Sequence, residues 1–253
     1  MFITKRGIGS AICLLMLSVE LCFSAQLSSP VRRFKDLGAE QLENVQIDAQ
    51  GITSFFAELS LTYDIPIGLE TAANEYALTR YSSNFKKGTL ADLLTQFVSR
   101  HSLYTWKIED GVVNVFPKDG YRDLASMELL ATKIERFSVK GNTSCFNLVE
   151  SLVMQPEAKT ILDANKTTYS NNAPSGFYIP NVGRSFTLEV SDVTVKSILN
   201  KVVSKSSTAK FWVITRKPDK TLLIDLTARH EDALRIKGTR RLQELFLDES
   251  PRQ

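Results

Sequence analysis

Cysteine and histidine are scarce in this 253-residue chain: three cysteines, two of which (Cys13 and Cys22) fall in the first 25 residues, and two histidines, His101 and His230. Once an N-terminal signal is removed Cys145 stands alone, which excludes a disulfide framework within the monomer. Neither histidine belongs to an HExxH or HxH pattern or has a cysteine partner, so no zinc site can be written. GxSxG, SxxK with a KTG-like element, GxGxxG and the P-loop are missing as well. A surplus of one charge is also lacking, since 31 Lys and Arg against 28 Asp and Glu give +3. Without Lys5, Arg6 and Glu20 the mature chain carries 29 against 27, or +2. That balance, together with secretion, argues against nucleic acid as a partner. Carboxylates such as Glu58, Asp64, Glu70 and Glu75 form no acid/base pair that spacing alone certifies, and they read as a solvated face. The expectation is no catalytic residue, no metal ligand and no cofactor.

Long apolar runs are limited to the N-terminus. Lys5 and Arg6 precede an apolar stretch, residues 8–21, as in a bacterial secretory signal with cleavage after Ser24 or Ala25. Glu20 inside the run disfavours permanent burial in lipid, and retention as an anchor is the alternative. Val19, Glu20 and Leu21 make a poor lipobox ahead of Cys22. The sequence therefore predicts a periplasmic or secreted bacterial protein with no stable membrane span after cleavage.

What the chain does contain is a repeat. Ile52, Phe55, Phe56 and Leu59 recur at i, i+3, i+4 and i+7, as do Leu90, Leu93, Leu94 and Phe97. Cys145, Leu148, Val149 and Leu152 match the first set, and Val195, Ile198, Leu199 and Val202 the second. Each set paints one helix face. Cys145 takes the repeat position of Ile52, which suits a small buried side chain. Behind each second helix comes an alternating stretch centred on tryptophan, Trp106 or Trp212, and then another short strand. In the first half Asp110 and Gly111 join the two stretches, the strongest short-range hairpin signal.

The fold class expected is α+β, two tandem β-α-β-β-α-β-β domains with separate small cores, each with two helices packed between small sheets. The boundaries are 1–25 for the signal, 26–43 for a mobile leader, 44–118 for the first domain and 119–133 for a linker with a short helix. The second domain covers 134–227 with an irregular insertion inside 155–183, and 228–253 is a helical tail. Pro66 should mark either a strand start or a sheet edge. Thr53 or Ser54 is available to start the first helix, and Thr89 or Asp92 the second.

Residues 81–98 with 103–115, and 186–203 with 210–224, carry a resemblance. In each, a strand leads through a turn into a Thr-initiated, aliphatic-rich helix and then a terminal hairpin. This pattern resembles the short N-terminal (STN) domain of bacterial secretins and TonB-dependent receptors. The resemblance implies action by protein contact: docking an inner-membrane regulator in receptors, and ring formation or docking in secretins. It supplies no catalytic residues. The function expected is a non-enzymatic protein–protein interaction module, part of an envelope signalling or secretion assembly, with an envelope protein as partner and room for an oligomer. The alternatives are a small-ligand or glycan binder and, behind it, an unrecognised cell-envelope hydrolase.

Strand edges are templates for adding a partner strand. The first candidate contact is therefore the terminal hairpin, with Tyr104, Trp106, Val113 and Val115. The second is the insertion loop between Tyr169 and Tyr178.

Overall fold

The apolar sets form helices because each lines up one stripe, and a polar side chain caps the start of three of the four. In the computed structural model, which describes residues 36–73, 79–141, 143–170, 182 and 186–228, the four are α1 (Ile52–Tyr63), α2 (Leu90–Arg100), α4 (Cys145–Val153) and α6 (Val195–Lys205). Thr89 and Asp92 close a reciprocal capping box on α2, and Ser144 and Thr194 cap α4 and α6. α1 starts after Gly51 with no side-chain cap, so neither Thr53 nor Ser54 serves there. The linker helix α3 (Leu124–Ala131) is capped by Asp123. The signal, the leader up to residue 35 and the tail from residue 229 lie outside the described residues.

Among the described residues ten strands accompany the helices: β1 (Gln41–Gln50), β2 (Ile67–Glu70), β3 (Arg80–Thr89), β4 (Tyr104–Glu109), β5 (Val112–Pro117), β6 (Lys133–Lys140), β7 (Thr168–Ser170), β8 (Thr187–Thr194), β9 (Ala209–Arg216) and β10 (Thr221–Ala228). The protein is α+β. The insertion is more regular than expected, because it holds a helix, α5 (Pro156–Ala164). Proline at its first position and buried Ala158 and Leu162 are the signals that mark it.

β1 pairs with β3, and β6 with β8, as outer antiparallel ribbons. The remaining strands form one sheet in the order β4-β5-β2-β9-β10-β7. Each half supplies three neighbouring strands, and they meet where β2 runs parallel to β9. The halves thus share a sheet instead of holding separate ones. Pro66 does stand just ahead of a strand, but that strand is interior, and the Pro66 carbonyl accepts from Val113 N at 3.0 Å.

Pairing directions relate the two halves. β5, β2 and β9 run one way, and β4, β10 and β7 the other. Side chains alternate across a strand, so neighbours on β9 divide between two cores: Phe211 and Val213 join the first, Trp212 and Ile214 the second. The cores therefore lie on opposite faces of the sheet. Strand order is kept while direction and helix-bearing face both reverse, which is a half-turn about an axis running across the strands. The cores trade residues along the way, Val112 of the first half going to the second core.

Buried side-chain hydrogen bonds lie at the junction. Ser60 Oγ, fully buried on α1, donates to Ile65 O at 2.7 Å and lies 2.8 Å from Lys210 O. Trp212 Nε1 donates to Asn200 Oδ1 at 2.9 Å, with Asn200 fully buried on α6. Asn200→Ala leaves the indole N–H without that acceptor, and the expected loss in a urea titration is about 1–3 kcal/mol.

Candidate functional site

The end of the sheet is set by local turn chemistry. Glu109 and Val112 pair across Asp110 and Gly111, whose φ values of 54° and 71° make the two-residue turn of type I′. The pair flanking such a turn exchanges both hydrogen bonds, so Lys107 and Thr105 also bond to β5. Between them Trp106 and Ile108 turn their N–H and C=O groups away, out of the sheet. Among the described residues β4 ends the sheet.

β9 is the counterpart of β4, and its edge is occupied. Lys217 N donates to Thr221 O at 2.8 Å, and counting back along the register turns the backbone of Trp212 and Ile214 towards β2. Ile214 O accepts from Thr71 N at 3.0 Å there. Trp106 lies across from Val115, and Trp212 across from Leu226, so the two tryptophans hold equivalent places. The difference is what lies beyond them.

Gly68 of β2 pairs with Trp212, and a Cβ on Gly68 would sit 2.2 Å from indole Cε2. The absent side chain lets the indole lie over the neighbouring strand. Trp106 is half-buried against the first core, and its neighbour Ile108 is 37% exposed.

Among the residues expected to meet a partner, Tyr104, Trp106, Val113 and Val115 come together on the helix-bearing face of the β4–β5 hairpin. Tyr104, Val113 and Val115 are buried there. Tyr104 Oη accepts from Ala72 N at 3.0 Å. What this hairpin turns outward is the backbone edge at Trp106 and Ile108. Tyr169 is distant in the sheet, on β7, where its ring packs on the second core, and burial pushes its hydroxyl pKa up. Tyr178 lies outside the described residues.

The hairpin's other face is a charged network that periodicity did not reveal. Lys107 Nζ lies 5.4 Å from the Phe116 ring centroid and the Arg122 guanidinium 5.5 Å from it. Arg122 donates twice to Glu70, at 2.8 and 2.6 Å, and Glu70 is 2% exposed. Glu109 accepts from Lys107 at 2.6 Å and from Lys196 of α6. Ser197 Oγ donates to Asp110 Oδ2 at 2.9 Å. Glu109, Asp110, Arg122, Lys196 and Ser197, with Met127 and Leu130 of α3, line an open cleft of about 690 Å³.

Partial burial raises the Glu109 pKa, but the lysine hydrogen bonds outweigh it and hold the carboxyl below its usual range. A depressed folded pKa contributes stability above the unfolded pKa, and that contribution is lost as pH falls through the folded one. Removing Glu109 as Glu109→Gln should therefore flatten the acid limb of a stability-against-pH curve below the free glutamate value of about 4.3, while changing little of its shape above pH 6. An unchanged acid limb contradicts this.

Cys145 is buried, and desolvation pushes its thiol pKa up to about 12, which marks an inert core residue. Among the described residues no cluster of three or more His, Cys, Asp or Glu is placed to hold a metal, and no helix is long and apolar enough to cross a membrane. Compared with models of known protein families and with curated proteins, the chain matches none of either.

Proposed function

We propose that this protein is a non-enzymatic interaction module of the bacterial envelope, periplasmic or secreted, that holds a partner protein at the outer edge of β4. The observation that carries the reading is the pair of edges: β9 takes a parallel strand through the outward backbone of Trp212 and Ile214, and β4 turns Trp106 and Ile108 outward with the same spacing. Main-chain groups on an unpaired edge supply affinity for an extended segment, and side chains beside it supply selectivity. Lys107, with its side chain 48% exposed, guards the strand against indiscriminate pairing. The likeness of each half to the STN pattern supports contact as the mode of action, and the signal-like N-terminus supports the compartment.

Ligand binding in the cleft beside α3 is the second reading, favoured by its convergent charges. Lys196 and Arg122 already neutralise carboxylates there, so an incoming anion would have to displace Glu109 or Glu70.

Ile108→Pro separates the two. Proline is tolerated on an edge strand where the lost N–H faces outward, so the fold should persist while strand addition is blocked. In crosslinking pull-downs from envelope extracts, the wild-type chain should retain a partner band that Ile108→Pro loses with an unchanged circular dichroism spectrum. Retention of every band by the folded variant contradicts the reading.

A further inference from the structure

We propose that the edge of β4 selects an extended protein segment that runs parallel to it and carries glycine opposite Trp106. This rests on the reading of β4 as the partner edge, and adds what the partner must look like.

The internal junction is the template. At β9 the occupant is Ile67, Gly68, Leu69 and Glu70, parallel, with Gly68 opposite Trp212 and the aliphatic neighbours on the other face beside Phe211 and Val213. Even an alanine methyl at Gly68 would reach within 2.2 Å of the indole, far inside any ordinary carbon contact. An indole leaning across a strand boundary thus demands a neighbour without a side chain at that place. Trp106 has the same cross-strand setting, the same outward backbone and the same helix-bearing face as Trp212. A strand added to β4 in the manner of β2 on β9 meets the same demand.

Direction follows as well. β4 turns out the same backbone groups as β9, and the strand on β9 is parallel; a segment added in that manner has its N-terminal end beside Tyr104 and its C-terminal end beside Glu109. The flanking side chains fall on the face of Thr105 and Lys107, where β9 has Phe211 and Val213. A second copy of this chain offering β7 as the added strand presents Thr168, Tyr169 and Ser170, none of them glycine. β7 of a second copy therefore does not meet the demand.

The chain's own β2 sequence is a ready probe. A synthetic peptide of residues 65–71, Ile-Pro-Ile-Gly-Leu-Glu-Thr, and the same peptide with Gly68→Val are titrated into the isotope-labelled full chain and followed by amide chemical shifts. The glycine peptide should shift amides of residues 104–109, and the valine peptide should bind at least tenfold more weakly. A spin label at the peptide N-terminus should broaden the Tyr104 end of β4 before the Glu109 end. In the Trp106→Ala chain the two peptides should bind alike, which shows that the indole sets the choice; the peptide comparison on the wild-type chain stands even if that variant does not fold. Equal affinities on the wild-type chain, shifts elsewhere, reversed broadening, or no shift at about 1 mM peptide overturns the proposal. Equal affinities with loss of the pull-down band in Ile108→Pro removes the glycine rule and leaves the edge; loss of neither removes both.

Discussion

Gly68→Val should destabilise the protein by at least about 3 kcal/mol in denaturant unfolding, at the upper end of what overpacking costs. β2 is only four residues long, yet it carries the strand pairing between the halves, bonded to β5 on one side and β9 on the other. The first added carbon would fall 2.2–2.3 Å from indole Cε2 and Cζ2, and the ring has little room to retreat because Nε1 is fixed by Asn200. Moving the ring also strips that buried hydrogen bond. A cycle with Trp212→Leu isolates the cause: the valine should cost at least 1 kcal/mol less when the indole is gone, a coupling of the size expected for groups in contact. A cost that does not depend on residue 212 contradicts the contact as its source.

Arg122→Ala should cost about 3–5 kcal/mol, the price of leaving a buried carboxylate alone. Glu70 is buried in the interior strand β2, and the two hydrogen bonds from Arg122 of the linker are the forked geometry that satisfies a carboxylate best. The guanidinium also covers Phe116, so the substitution loses packing as well as charge. Glu70→Gln combined with Arg122→Ala should recover more than half of the loss, because no charge remains stranded. Because the pair is largely shielded from solvent, the loss should hardly change between low and moderate salt. A loss below 1 kcal/mol, or one that high salt abolishes, is the contrary result.

How far the sequence could be read depended on the range of each interaction. All four repeat helices were visible because i, i+3, i+4, i+7 spacing is local, and Asp110-Gly111 marked its turn because both residues must adopt positive φ. The seam was not visible. A strand such as Ile67-Gly68-Leu69-Glu70 carries nothing that says its neighbour lies more than 140 positions away, and Gly68 by itself looks like a weak point in a strand instead of the place where Trp212 fits. The tie between Glu70 and Arg122 bridges 52 positions and left no periodic trace. α5 was missed because its buried stripe is short, although Pro156 announces its start. Of the partner-contact candidates, alternation placed Tyr104 and Trp106 on one face; that the same face is packed inward, leaving the backbone of Trp106 and Ile108 at the sheet's end, depends on helices brought in by the fold.

The central claim is that β4 is an open counterpart of the occupied edge of β9, and amide hydrogen exchange at four positions tests it most directly. In the free chain under native conditions, the N–H groups of Trp212 and Ile214 should be protected by β2, exchanging only through large-scale opening, while those of Trp106 and Ile108 exchange at least a hundredfold faster; adding a segment to β4 should slow the latter pair selectively. Equal protection of all four amides in the free monomer would contradict an open edge and the reading of function built on it.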